Sequence, residues 1–281
     1  MDRTYSRIKL VPFGVHLFKT GDLDPVYVAL KGSNIAGARL RRWLVSYWLF
    51  YHSGFSCWGC EVPDGDFWKE MARAAANDEP APTGGRWPRG TERRHFRGER
   101  GNDSVGRLRR RFKNAESFVS FVLDGPMDIA SVVGRVATLP GFGQWSAFKV
   151  ADMIDATLGA TVEQDNISMF LYDTPRASII ECWERGEVPR RSNHPDPALG
   201  LADAMTWLRQ HLSDVTIPHK VGQPPDNFSL ETVWCKYKSH RDGHYPPFKD
   251  CVEIAAGLQD WLPHASGARA FFDALPRPRA A

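Results

Sequence analysis

The sequence predicts a mainly helical protein, on three observations. Apolar residues recur at helical spacing along most of the chain, and no long alternating strand pattern occurs. Tracts rich in proline and glycine cut the helical stretches into short pieces. With 281 residues, 42% hydrophobic and 25% charged, the chain has an ordinary globular composition and enough length to bury a sizeable core. No apolar run approaches the roughly 20 residues needed to span a bilayer. The start, MDRTYSRIKLVPFGVHLF, lacks the continuous apolar core of a signal peptide. Five scattered cysteines give no disulfide framework. A cytosolic protein is therefore expected.

Residues 36–52 carry Leu40, Trp43, Leu44, Tyr47 and Tyr51 at i, i+3, i+4, i+7 and i+11. That spacing predicts a largely buried helix, whose aromatics suit core packing better than stacking on a base. A shorter helix is expected over 65–77, with Asp64 or Asp66 near its start as a cap. Residues 78–102, rich in Pro, Gly and Arg, read as loop. Helical patterns resume over 104–123, 127–137, 145–158 and 197–212, with further candidates at 228–238, 247–260 and 266–274. The proline-rich tracts 187–197 and 217–227 read as surface connections, and no internal repeat is present. Two regions are expected, 1–125 with the Arg-rich segment and 126–281, or one integrated domain.

The net charge of +3 says little, but its distribution says more. From Arg86 to Lys113 there are ten arginines and one lysine against three acids. Guanidinium forks match phosphate geometry, so this segment suits a polyanion. A solvated helix face with a flexible loop is the blander alternative.

Residues 136–166 show a helix, then LPGFG at 139–143, then a second helix. Pro140, Gly141 and Gly143 permit a tight reversal and close backbone approach to a phosphate. The amides opening the next helix would face that phosphate, aided by the helix dipole. The stretch resembles the helix-hairpin-helix signature of base-excising DNA glycosylases, with Ala147, Val150 and Ala151 at its small and apolar positions. The resemblance implies a glycosylase-like helical architecture and DNA binding through Gly141, Gly143, Trp145 and Lys149. Trp145 stands where lyase-type members carry lysine, which argues against Schiff-base chemistry. The shared acid of those enzymes corresponds to Asp165 or Glu163, with Asp165 preferred. An αα-corner that merely contains two glycines is the structural alternative.

Three further blocks are PRGTERRHFRG (88–98), GFGQWSAFKVADMID (141–155) with LYDTPRAS (171–178), and ETVWCKYKSHRDGHYPPFKD (231–250). Together they resemble the bacteriophage amino acid:DNA transferases, also called alpha-glutamyl/putrescinyl thymine pyrophosphorylases, across roughly residues 40–255. The resemblance implies DNA hypermodification in the cytoplasm of an infected bacterial host. An amino acid would be joined through its amine to pyrophosphorylated 5-hydroxymethyluracil in double-stranded DNA, with pyrophosphate released. No GxxxxGK[ST] loop is present, so the chain is not the kinase that activates the base. Zinc-deaminase H-x-E and P-C-x-x-C motifs are also missing.

That reaction needs groups to hold the duplex, stabilise the leaving pyrophosphate and deprotonate the amine. Arg93, Arg94, His95 and Arg97 are candidates for the pyrophosphate, with DNA-backbone phosphate as the alternative. Lys236, Lys238, His240, Arg241, His244 and Lys249 would assist the leaving group or bind the amino-acid carboxylate, or form a plain surface loop. Asp165 leads as general base, followed by Asp152 and Asp173. Asp152 could instead pair with Lys149, and Asp173 could form an Asx turn or helix cap. Cys57 and Cys60 form one C-x-x-C, which suits packing better than zinc. Cys235, among basic neighbours, is a conceivable nucleophile. Mg²⁺ could neutralise pyrophosphate, but no dedicated carboxylate cage, protein metal site or organic cofactor is evident. A true glycosylase releasing a modified base, and a non-catalytic DNA-binding module, are the rival functions.

Overall fold

The computed structural model describes residues 8–93, 96–164, 173–190 and 197–278. Fourteen α-helices are described, in the order α1 (Leu10–Thr20), α2 (Pro25–Gly32), α3 (Gly37–Phe50), α4 (Ser53–Gly59), α5 (Phe67–Ala76), α6 (Gly98–Arg111) and α7 (Ala115–Leu123), then α8 (Ile129–Ala137), α9 (Gln144–Leu158), α10 (Asp173–Glu184), α11 (Pro197–His211), α12 (Asn227–Arg241), α13 (Lys249–Gln259) and α14 (Ser266–Asp273). Among the described residues, β-pairing is confined to one isolated parallel bridge between Asp128 and Glu163. The mainly helical expectation holds. No described helix is long and apolar enough to cross a membrane.

The chain forms two compact units, each assembled from separated stretches. The first comprises residues 1–28, 164–251 and 276–281, and the second residues 29–163 and 252–275. The boundary expected at 125/126 falls inside the second unit.

In the first unit α12 is central, packed by α1, α10 and α11. Its apolar residues run nearly all round, with Phe228, Leu230, Val233, Trp234 and Tyr237 all buried. A helix of that kind belongs inside a core. Asp226 caps its start, accepting from the Ser229 amide at 2.8 Å.

In the second unit α3 packs on α4, α7 and α9. Residues 43–50 of α3 are buried without a break, including Trp43, Leu44 and Leu49 at 0% exposure. Burial of large side chains like these stabilises the fold by roughly 1.5–3 kcal/mol each. The pairs α5/α6 and α8/α9 add the remaining layers, and α14 covers α4. The pattern expected as one helix over 104–123 is two. The first stops at Arg111, and Asn114 starts α7 with a capping box, Asn114 Oδ1 accepting from the Ser117 amide at 3.0 Å and Ser117 Oγ from the Asn114 amide at 3.1 Å. Likewise α6 opens at Gly98, inside the stretch expected to be loop. Asp66 does precede α5, but its side chain makes no capping hydrogen bond. Helix α3 ends on Tyr51 in the left-handed conformation, φ 53° and ψ 44°. Helices commonly end this way on glycine; a side chain there costs about 1–2 kcal/mol.

Candidate nucleic-acid interface

The 139–143 hairpin joins α8 to α9 within the second unit. Leu139 and Phe142 point inward, at 2% and 7% exposure, and the Phe142 amide donates to the Leu139 carbonyl at 3.1 Å. The two glycines are needed for different reasons. Gly141 has φ +81°, and a Cβ there would lie 2.5 Å from the Phe96 ring. Gly143 is extended, φ −108° and ψ −178°, and caps α9. A Cβ on Gly143 would meet nothing within 4 Å. Its outer side is therefore open to an approaching backbone. The Gly143 amide donates to Ser146 Oγ at 2.9 Å, and its carbonyl accepts from Ala147. The positive end of the α9 dipole lies at this open face.

The Arg-rich segment meets the hairpin. Arg93 is 7% exposed, donating from Nε to the Leu49 carbonyl at 3.1 Å and from Nη1 to the Gly141 carbonyl at 2.7 Å. Its guanidinium lies 4.8 Å from the Phe96 ring centre and 4.9 Å from that of Phe142. Nη2 is buried without a hydrogen-bond partner. Among the described residues no carboxylate pairs with Arg93, and burial lowers it to about 10, so it stays charged at neutral pH. Arg89 is a second such bolt. It donates to the carbonyls of Phe96, Trp87 and Ala74 at 2.6, 2.8 and 2.6 Å. Burial, then the neighbouring Arg97, lowers it to about 10. Arg93 thus ties the segment preceding α6 to the hairpin loop and Arg89 ties it to the end of α5, while Arg97 is exposed just before α6. Arg94 and His95 lie outside the described residues.

Along α9, Trp145 is half-buried, its ring edge-on to Tyr51 at 5.4 Å. Lys149 Nζ pairs with Asp152 at 3.1 Å, and Asp152 is 4% exposed. The i,i+3 pairing is the structural use anticipated for Asp152. Asp155 Oδ1, in the last turn of α9, accepts from the Val162 amide at 2.9 Å. Reciprocal bonds of 2.9 Å then tie the Glu163 backbone to Met127 and Ile129, with the Glu163 side chain exposed. Asp165 lies outside the described residues. Asp173 is the exposed first residue of α10, where a carboxylate suits the helix dipole.

The second cationic set, in the first unit, is largely engaged by its own acids. Lys236 Nζ contacts Asp250 Oδ2 at 2.7 Å, Tyr245 Oη at 2.6 Å and the Asp22 carbonyl at 2.6 Å. Burial opposes its charge, but Asp250, Asp22 and Asp24 hold the ammonium above its usual range. The Asp22 carboxylate, fully buried, accepts from Tyr245 Oη at 3.0 Å and from the Phe248 amide at 2.8 Å. That last bond holds Phe248 at φ 62°. Lys238 pairs with Glu181 at 3.1 Å and Asp242 at 2.6 Å, and Arg241 with Glu187 at 3.4 Å. His240 is 1% exposed, stacked on Phe13 at 4.6 Å, with Nδ1 2.9 Å from the Tyr245 carbonyl. His244 is exposed, and its carbonyl accepts from Lys249 Nζ at 2.9 Å. This block is thus a buried ionic network more than a free anion patch. Sequence reasoning missed its organiser, Asp22, which lies 214 residues from Lys236. It also missed Arg89, Phe96, Tyr245 and Asp250, whose contacts no local pattern announces.

Cys57 and Cys60 are buried and unpaired with each other. Burial raises both thiols, that of Cys60 to about 11, which fits packing. Cys235 is partly exposed. Among the described residues no His, Cys, Asp or Glu cluster could hold a metal ion.

Residues 14–244 match the family model for amino acid:DNA transferases. The chain belongs to the amino acid:DNA transferase family. It is 36% identical to a glycinyltransferase of Pseudomonas phage PaMx11, over 98% of this chain and 99% of that protein. It is also 32% identical to a putrescinyltransferase of Delftia phage PhiW-14, over 85% of this chain and 75% of that protein. The chain is accordingly a transferase, an enzyme of phage DNA hypermodification by amino acid transfer. Its family establishes DNA and an amino acid as the substrates. Arg89, Arg93 and the hairpin all lie inside the matched span.

Proposed function

We propose that this transferase joins glycine, through its amine, to pyrophosphorylated 5-hydroxymethyluracil in double-stranded DNA. The observation that carries the donor is the near full-length similarity to a glycinyltransferase. In the reaction, the amine nitrogen attacks the exocyclic methylene carbon. The carbon–oxygen bond to pyrophosphate breaks, pyrophosphate leaves with its electron pair, and the nitrogen gives up a proton to a base. Extrusion of the base from the duplex would bring the methylene, its pyrophosphate and the amine together inside one protein site.

The hairpin supports a role in holding the duplex. Its open Gly143 face and the α9 N-terminus suit one backbone phosphate, and the bolted Arg93 adds positive charge beneath them. Arg97 together with Arg94 and His95 remains the proposed pyrophosphate group, with electrostatic stabilisation of the leaving group as its role. Asp165 remains the proposed general base, ahead of Asp152 and Asp173. Mg²⁺ would assist by binding the pyrophosphate itself. Incubation with the pyrophosphorylated DNA and each amino acid separately, followed by nucleoside mass spectrometry, tests the reading. Glycine alone should displace the pyrophosphate and give an N-linked product one glycine residue heavier than 5-hydroxymethyldeoxyuridine. Release of free base would favour the glycosylase reading instead.

A further inference from the structure

A column of aromatic rings runs through the second unit to the hairpin. Phe271 stacks on Trp43 at 5.5 Å, and Trp43 on Tyr47 at 4.8 Å. Tyr47 meets Tyr51 at 4.6 Å, and Tyr51 meets Trp145 at 5.4 Å and 63°. The first three rings are buried, whereas Tyr51 and Trp145 are half-buried. The column therefore ends at solvent.

Its last two members are placed at some expense. Tyr51 takes the left-handed conformation at the end of α3, and its amide donates to the Tyr47 carbonyl at 2.6 Å. Glycine would sit there without strain, so a tyrosine held in that conformation invites a functional reason. Trp145 is the second residue of α9 and stands two residues beyond the open Gly143. The Trp145 ring thus leaves α9 in its first turn, beside the amides that would hold a phosphate.

We infer that Tyr51 and Trp145 form a stacking edge for a nucleobase, namely the extruded 5-substituted uracil of the target nucleotide. The inference rests on the hairpin being the phosphate-binding element proposed above. Rigid rings backed by a packed column lose little freedom on binding. Stacking on them tolerates a substituent at the 5-position, because the π-face is used and the pyrimidine edge stays free. In this arrangement the ring pair holds the base while the phosphate site fixes its backbone.

The test is binding of two duplexes, one carrying 5-hydroxymethyluracil and one an abasic site at the same position, to wild-type protein and to Trp145→Leu, Trp145→Phe and Tyr51→Gly. Trp145→Leu should weaken binding of the base-bearing duplex about tenfold and of the abasic duplex by less than twofold. Trp145→Phe should restore most of the loss. Tyr51→Gly removes a ring while relieving the backbone, so it should bind the base-bearing duplex about fivefold more weakly and keep its melting temperature. Equal losses on both duplexes, or none, would overturn the stacking role while leaving the hairpin reading intact. Failure of the wild-type protein to bind either duplex would remove the hairpin reading, and this inference with it.

Discussion

Replacing Arg93 by methionine separates a positioning role from direct phosphate contact. The change deletes the bonds to the Leu49 and Gly141 carbonyls and the contacts with two aromatic rings. Each carbonyl left unpaired in a buried setting costs about 1–3 kcal/mol, and each cation–π contact about 0.5–2 kcal/mol. Methionine offsets part of this because no charge need be desolvated. A net loss of about 3 kcal/mol follows, or roughly 6–12 °C in melting temperature for a unit of this size. Arg93→Lys keeps the charge but not the fork, and should lose about half as much. The Gly141 loop would relax, so DNA affinity should fall about tenfold. The slope of log affinity against log salt should not change, because a residue that touches no phosphate releases no counterion. Thermal unfolding and binding titrations at several salt concentrations measure both effects. A salt slope reduced by about one in Arg93→Met, with stability intact, would show that the guanidinium meets phosphate directly and does not position the loop.

Further outcomes follow from the same geometry. Gly141→Ala puts a Cβ 2.5 Å from the Phe96 ring at φ +81° and should destabilise by at least about 2 kcal/mol in denaturant titration, whereas Gly143→Ala should leave stability nearly unchanged and weaken DNA binding by crowding the open face. Burial lowers His52, the N-cap of α4, from 6.5 to about 4 in the folded chain, with Asp260 opposing the shift. The unfolded chain binds the proton more readily, so stability is full above about pH 6.5 and falls as pH drops toward 4, by about 3 kcal/mol in all. Unfolding of His52→Asn across that range should lack this part of the slope. Asp22→Ala strands the buried Tyr245 hydroxyl and Phe248 amide, while Lys236 keeps the backbone carbonyl at position 22 and Asp250; it should cost about 2–4 kcal/mol by denaturant unfolding, with Asp22→Asn milder.

The parts of this protein legible in its sequence are those specified by neighbours. The hairpin was visible because glycine and proline announce a reversal locally, and α3 because its apolar spacing is its own signal. Arg89 and Arg93 were legible as charge but not as bolts. Their acceptors are backbone carbonyls, which any residue type supplies, and the Gly141 carbonyl lies 48 positions from Arg93. For the same reason the cations near 240 looked free. Their partners include Glu181 and Glu187, well before them in the sequence, and the Asp22 backbone carbonyl from the other end of the chain, and none of these carries a motif. The break at Asn114 had a local signature in Asn114 and Ser117, which the continuous apolar pattern overrode. Tyr51 shows the limit of periodicity: its spacing marked it as core, while its backbone conformation and its contact with Trp145 place it at the core's outer edge.

Nucleoside mass spectrometry of duplex DNA containing pyrophosphorylated 5-hydroxymethyluracil, after incubation with the protein and glycine, decides whether this chain transfers glycine. Glycine transfer requires loss of the pyrophosphorylated nucleoside, release of pyrophosphate and appearance of a thymidine carrying N-linked glycine on its 5-methylene carbon, still linked in DNA. An abasic site with free modified base, or an unchanged nucleoside in the presence of every amino acid, would contradict it.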